Sequence, residues 1–85
     1  MIFEIVWDTK SLKILDKLPK EYAARIVKRI DEAKENPERY TETLVDFEGY
    51  KIRVGDYRVF VDLEYNPNKL IVRTIKHRRE AYKKN

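Results

Sequence analysis

The sequence contains no cysteine and only one histidine. The absence of cysteine excludes disulfides, thiolate catalysis and zinc ribbons. A single histidine also excludes a structural zinc or a two-histidine metal site in a monomer. No apolar run approaches the roughly 18 residues that a membrane-spanning helix needs. The first apolar run, residues 1–7, contains Glu4 and lacks the basic leader and small-residue cleavage site of a signal peptide. We therefore expect a cytoplasmic protein that does not bind membranes.

The 85 residues are sufficient for one small domain, residues 1–85, and 42% of them are apolar. Six tyrosines, three phenylalanines and one tryptophan supply enough ring surface for a real core. A chain of this size buries only about 60–65% of its surface on folding. A functional site is therefore expected on an open face or in a shallow groove.

Charge is distributed unevenly along the chain, although the net charge is only +4. Residues 1–48 contain nine basic and eleven acidic side chains, a net charge of −2. Residues 49–85 contain ten basic and four acidic side chains, a net charge of +6. This asymmetry is typical of a polyanion-binding site, whereas the alternative is a solvated surface of mixed ion pairs.

The first 37 residues show the pattern of a strand followed by two helices. Residues 1–7 alternate as a strand does, and Asp8 can cap the helix that follows. Pro19 breaks that helix and can open a second one, which Asn36-Pro37 ends. The apolar stripes are Leu12, Ile14, Leu15 and Leu18 in the first helix, and Tyr22, Ala23, Ile26, Val27, Ile30 and Ala33 in the second. The short break between them predicts an antiparallel helical hairpin.

The clearest local pattern is a β-hairpin in the second half of the chain. Residues 38–48 are interpreted mostly as a loop, with room for a short strand near 44–47. Residues 50–54 and 57–64 then alternate as strands, and Gly55-Asp56 joins them in a two-residue turn.

A second turn at residues 66–68 leads to a strand over 70–77 and a short helix or tail over 78–84. The whole pattern predicts an α+β two-layer sandwich. Its parts are an N-terminal strand, a helical hairpin packed on one face of a mainly antiparallel four- to five-stranded sheet, and a short C-terminal helix.

The two-residue turn fixes which side chains of the hairpin face each other. One face is continuously apolar, and its pairs are Val54 with Tyr57, Ile52 with Val59, and Tyr50 with Val61. On the other face Arg53 opposes Arg58, and Lys51 opposes Phe60. Like charges directly opposite each other destabilise a sheet by up to about 1 kcal/mol. Anion binding explains this arrangement, and a bulge or simple solvated scatter is the alternative.

A four-residue second turn, residues 66–69, extends this register to the last strand. The predicted pairs are Asp62 with Arg73, Phe60 with Ile75, and Arg58 with His77. A three- or five-residue loop would reverse the faces of the last strand.

In this register the open face of the sheet gathers basic and aromatic side chains. They are Lys51, Arg53, Arg58, His77, Arg78 and Tyr82. Guanidinium forks suit phosphate oxygens, and aromatic rings suit stacked bases. The face has no cluster of acidic residues for magnesium, so we expect metal-independent phosphate chemistry without a cofactor.

Two segments resemble the signatures of the RelE/ParE toxin superfamily. Residues 50–59, YKIRVGDYRV, resemble its basic strand followed by a Gly-x-Tyr-Arg turn, and residues 77–82, HRREAY, resemble its C-terminal signature. The basic set points to the RelE branch, and the resemblance implies functional roles for Lys51, Arg53, Arg58, Arg78 and Tyr82. The sequence has Arg53 where some members have lysine, and it ends soon after Tyr82.

The resemblance implies a toxin of a type II toxin–antitoxin pair. Such a RelE-like toxin is a ribosome-dependent endoribonuclease that cleaves mRNA in the A site and stops translation. It also implies neutralisation by a small RelB-like antitoxin, and binding of operator DNA only through the toxin–antitoxin complex.

The residues suggest a mechanism in which the ribose 2′-OH attacks the adjacent phosphate. Lys51 is the candidate base, because arginine does not deprotonate in proteins. Arg53 and Arg58 would bind the phosphate, and His77 or a water assisted by Arg78 would protonate the leaving oxygen. Arg58→Ala is expected to abolish toxicity with little change in thermal midpoint.

Each role has a structural alternative. Lys51 can be a solvated strand lysine, and His77 a surface residue at a strand end. Tyr82 can orient a nucleotide or merely pack in the core. Tyr50 and Tyr57 are expected in the core.

Two other functions remain open. The ParE branch shares the fold and poisons DNA gyrase without cutting RNA. The chain can also be a catalytically silent protein that binds nucleic acid or serves as a corepressor with an antitoxin.

Overall fold

The computed structural model describes residues 2–44 and 48–81. The elements in chain order are β1 (Glu4–Trp7), α1 (Thr9–Lys17), α2 (Lys20–Ala33), α3 (Pro37–Tyr40), β2 (Glu42–Thr43), β3 (Tyr50–Val54), β4 (Tyr57–Glu64), β5 (Lys69–His77) and α4 (Arg78–Ala81). No helix within the described ranges is long and apolar enough to cross a membrane.

The strands form one five-stranded sheet in the order β1-β5-β4-β3-β2. β1 runs parallel to β5, and the other neighbours are antiparallel. The predicted α+β architecture, with a mainly antiparallel sheet and a short C-terminal helix, is confirmed.

Local sequence signals explain where the first two helices begin. The Asp8 carboxylate accepts hydrogen bonds from the backbone N–H groups of Lys10, at 2.8 Å, and Ser11, at 3.4 Å. This is the cap predicted for α1. Pro19 occupies the N-cap position of α2, as its fixed φ allows.

The segment between α2 and β3 has more structure than the pattern indicated. α3, residues Pro37–Tyr40, occupies part of the range interpreted as loop, and its first residue is the proline that was expected only to end α2. A short strand, β2, lies at Glu42–Thr43, whereas the short strand expected near 44–47 falls mostly on residues 45–47, outside the described residues.

The core lies between the sheet and the helices. Its fully buried side chains include Ile26, Ile30 and Ala33 of α2, and Ile52, Val59, Leu70 and Val72 of the sheet. Tyr50 and Tyr57 pack against this cluster, as predicted. The buried faces of α1 and α2 are narrower than the predicted apolar stripes, because Leu12, Tyr22 and Val27 are exposed.

The register of the β3–β4 hairpin is the predicted one. Arg53 opposes Arg58, and Lys51 opposes Phe60. Gly55 in the turn has a φ of +58°, a left-handed conformation that suits glycine.

The register between β4 and β5 differs from the prediction. Phe60 opposes Thr74, and Arg58 opposes Lys76, with a shift in the ladder between Phe60 and Val61. Arg73 is the extra residue on β5, because the next pair is Val61 with Val72. The predicted pairing of Phe60 with Ile75 is therefore wrong.

This shift moves His77 to the other face of the sheet. His77 opposes Tyr57 rather than Arg58, so it lies on the side that the helices cover. The Asp62–Arg73 ion pair forms nevertheless, with 2.6 Å between Arg73 Nε and Asp62 Oδ2. The two side chains are close although they are not register partners.

Candidate functional site

The candidate site lies on the open face of the sheet, next to the turn between β3 and β4. β3 contributes Lys51 and Arg53, β4 contributes Arg58, and β5 contributes Lys76. Lys76 takes the register position that the sequence had indicated for His77. Its ammonium group lies 5.9 Å from the centre of the Phe60 ring, which is within the range of a cation–π contact.

A carboxylate from β2 holds the two basic side chains of β3 together. Glu42 is the register partner of Lys51, and its Oε2 lies 3.9 Å from Lys51 Nζ. Its Oε1 lies 3.2 Å from Nε of Arg53. The Lys51 side chain is mostly buried, at 17% exposed, whereas that of Arg53 is 57% exposed. The two cationic groups therefore converge on one point, which an anion already occupies.

Arg58 is anchored to the turn rather than extended into solvent. The residue is only 7% exposed, and its Nη1 donates to the carbonyl oxygens of Gly55, at 2.8 Å, and Tyr57, at 2.9 Å. Its charge is thus fixed beside the turn, and it also stabilises the turn conformation.

Arg78 reaches the same turn from the start of α4. Its backbone N–H donates to the carbonyl of Asp56 at 2.7 Å, and its Nε lies 3.7 Å from the Asp56 carboxylate. The end of β5 therefore places Arg78 at the same turn whose carbonyl groups Arg58 binds.

The chain is similar to a known protein family over most of its length. Residues 5–82 match the model of the family described as ParE toxin of type II toxin–antitoxin system, parDE. The chain belongs to this toxin family. The match confirms the superfamily resemblance seen in the two sequence signatures. No curated protein sequence matches the toxin at a significant level.

Solved structures share the fold of this toxin. The toxin–antitoxin complex RelBE2 from Mycobacterium tuberculosis matches with a TM-score of 0.82 and 20% identity, over 91% of this chain and 99% of that one. A mutant of E. coli toxin RelE in the free state matches with a TM-score of 0.79 and 21% identity, over 95% and 88%. The archaeal RelE–RelB complex from Pyrococcus horikoshii gives 0.75 and 22%, over 92% and 97%.

The structure does not bring all the sequence-predicted site residues together. Arg58 and Arg78 contact the turn, Arg53 is the register partner of Arg58, and Lys51 meets Arg53 at the Glu42 carboxylate. Tyr82 lies outside the described residues. The placement of His77 with the cations is wrong, since its ring contacts that of Tyr57 on the covered face of the toxin, 5.5 Å between centres.

Sequence reasoning missed Lys76 and Glu42. Alternation along β5 could have indicated Lys76 if the register had been known. Glu42 lies in a two-residue strand within a segment interpreted as loop, so no pattern in the sequence pointed to it.

Two cations of the toxin outside the site have raised pKa values. A hydrogen bond to Asp31 raises the pKa of Lys34, and a hydrogen bond to Asp62 raises that of Arg73. Both cations belong to exposed ion pairs, which contribute little to stability. We interpret them as surface pairs rather than as part of the chemistry.

Proposed function

We propose that this toxin is a ribosome-dependent, metal-independent endoribonuclease that cleaves mRNA in the A site and inhibits translation. The observation that carries the proposal is the convergence of Lys51 and Arg53 on the Glu42 carboxylate at the open sheet face, with Arg58 as the register partner of Arg53. Such a set can bind one phosphodiester and stabilise the charge that develops on it.

In the proposed reaction the phosphate of the cleaved linkage displaces the Glu42 carboxylate from Arg53. Arg53 is the exposed partner and can turn towards the substrate, whereas Arg58 supplies a fixed positive charge at the turn. A fixed charge near the phosphate stabilises the transition state without reorganisation.

In the proposed chemical step the 2′-OH proton moves to Nζ of Lys51, while the 2′-oxygen forms a bond to phosphorus. The bond from phosphorus to the 5′-oxygen breaks, and a water held by Arg78 donates a proton to that oxygen. The hydroxide left from this water takes the proton back from Nζ of Lys51. The products are a 2′,3′-cyclic phosphate and a 5′-hydroxyl. We favour the water over His77 as the acid, because His77 lies on the other face.

A small RelB-like antitoxin is the proposed protein partner. Several structures that share this fold are RelB–RelE complexes, including those from Pyrococcus horikoshii and Methanococcus jannaschii. We propose that operator DNA is bound only through the complex with this antitoxin.

The test is cleavage of mRNA by purified toxin on programmed ribosomes. We expect cleavage at the A-site codon, and a loss of at least tenfold in rate for Lys51→Ala and Arg53→Ala. Lys13→Ala, which removes an exposed cation of α1, is the matched control and should cleave like the wild type.

The match to the ParE family model favours one alternative, inhibition of DNA gyrase. The same preparation should therefore be assayed for gyrase supercoiling. Intact mRNA together with inhibited supercoiling would replace the nuclease proposal by this alternative.

A further inference from the structure

A shallow groove lies on the other side of the β3–β4 turn, where α2 begins. It is open to solvent, has a volume of about 190 Å³, and is lined by Tyr22, Arg25, Val54, Gly55, Asp56 and Tyr57. A cavity of about 150 Å³ is large enough to hold benzene. The groove therefore has room for a single heteroaromatic ring.

Aromatic side chains form a row along this groove. The rings of Tyr22 and Tyr57 lie 5.6 Å apart, and those of Tyr57 and His77 lie 5.5 Å apart. Tyr22, at the open end of the row, is 38% exposed. An exposed ring supported from behind by a second ring is a suitable platform for a stacked base.

Arg25 gives the groove a positive charge that has no acidic partner within the described ranges. Its guanidinium lies next to Gly55, where an added Cβ would be 3.7 Å from Nη2. The carboxylate of Asp56, which also lines the groove, pairs with Arg78 instead. Arg25 is thus available to an external anion, unlike Arg53 and Arg78.

The groove and the proposed cleavage site are the two sides of one turn. Arg58 lies on the sheet side and donates to the carbonyls of Gly55 and Tyr57, which both line the groove. A strand of RNA that crosses the turn could therefore contact the sheet cations with one phosphate and Tyr22 with a neighbouring nucleotide.

We propose that this groove is a second nucleotide-binding site. A base of single-stranded RNA stacks on Tyr22, and Arg25 binds its phosphate. The proposal rests on the proposed nuclease function, because the neighbouring linkage is the one cleaved. It adds a contact that orients the RNA across the turn. A nucleotide uses both features at once, its base on the exposed ring of Tyr22 and its phosphate on Arg25, which has no acidic partner among the described residues.

The direct test is binding of a fluorescent single-stranded RNA octamer to the purified toxin at low salt, followed by anisotropy. Tyr22→Ala should weaken binding by about fivefold or more, because stacking contributes at least about that factor. Arg25→Gln should weaken binding by a similar factor and flatten its salt dependence. Lys28→Gln, one turn further along α2, is exposed and removes the same charge. It should change binding by less than about twofold.

A series of octamers with one abasic nucleotide separates stacking from general loss of affinity. At the position whose base stacks on Tyr22, loss of the base should weaken binding of the octamer to the wild-type toxin. The same loss should leave binding to the Tyr22→Ala variant unchanged. Thermal midpoints check that the variants are folded, and Arg25→Gln keeps the proposal testable if Tyr22→Ala is unstable.

Three outcomes would overturn the groove proposal: no binding of the octamer by the wild type, equal binding by all variants, or loss of antitoxin binding with RNA binding unchanged. Cleavage on ribosomes is measured separately. If the wild type and the groove variants cleave mRNA at the same rate and bind the octamer equally, the groove proposal is rejected and the nuclease proposal stands. Binding that depends on the groove without any cleavage would reject the nuclease alone.

Discussion

Replacing Arg58 by alanine is expected to destabilise the toxin as well as to remove a positive charge. The side chain is 7% exposed and donates to two carbonyl oxygens of the turn. A hydrogen bond from a charged group contributes about 1.5–3 kcal/mol. Both bonds here use one nitrogen, and the Gly55 carbonyl belongs to an exposed residue that water can reach. We therefore expect the loss of about one such bond, 1.5–3 kcal/mol.

In a domain of this size, 1 kcal/mol shifts the thermal midpoint by about 4–8 °C. The expected decrease for Arg58→Ala is thus roughly 6–24 °C, measured by calorimetry at neutral pH. This replaces the sequence-based expectation of an almost unchanged midpoint. Activity of the variant has to be compared with that of the wild type well below the lower midpoint.

Arg53→Ala is the matched control, since Arg53 is the register partner of Arg58 but its side chain is 57% exposed. Its stability should change by no more than about 0.5 kcal/mol. Equal midpoints for the wild type and Arg58→Ala would refute the structural role. In that case the bonds to the turn contribute nothing measurable.

Four further changes test other parts of the structure. Ile52→Ala should lower the free energy of unfolding in urea by about 2–5 kcal/mol, because Ile52 is fully buried; a loss below 1 kcal/mol would contradict its place in the core. Ser11→Ala should cost about 1 kcal/mol in the same assay, since the buried hydroxyl lies 3.0 Å from the Val72 carbonyl, and no loss would mean that this bond is not formed. Gly55→Ala should cost about 1–2 kcal/mol, because φ is +58° there, and unaltered stability would argue against this turn. Glu42→Gln should tighten RNA binding about 1.5- to 5-fold, the equivalent of an exposed ion pair that no longer competes; weaker binding would show that Glu42 assists rather than competes.

The hairpin register could be predicted because a local rule determines it. Gly55-Asp56 allows only a tight turn, and a two-residue loop leaves one way to pair the flanking strands. Arg53 and Arg58 were therefore placed opposite each other from the sequence alone.

The last strand shows where local rules fail. The loop between β4 and β5 begins and ends one residue earlier than expected. The pairing of β5 with β4 is therefore shifted by two residues, and a shift of two leaves each β5 side chain on its predicted face of the sheet. The bulge at Arg73 then adds one residue, and an odd shift exchanges the faces of all positions beyond it. No glycine or proline marks this bulge, so the exchange of His77 for Lys76 had no sequence signal.

The remaining contacts of the site depend on the tertiary structure. Glu42 reaches Lys51 only because a two-residue strand pairs at the edge of the sheet, which is too short to give a periodic pattern. Arg78 meets Asp56 because α4 begins where β5 passes the hairpin turn. Residues far apart in sequence make both contacts.

The parallel pairing of β1 with β5 also determines when the fold can be completed. Residues 4–7 bind residues 69–72, so β1 has no strand partner until β5 has been synthesised. A growing chain therefore holds β1 without a strand partner until residues 69–72 follow, and a chain that stops earlier cannot complete the sheet. The sheet is therefore completed only in a late step, after residue 72 has been synthesised, and the buried face of the toxin depends on contacts between the two ends of the described chain.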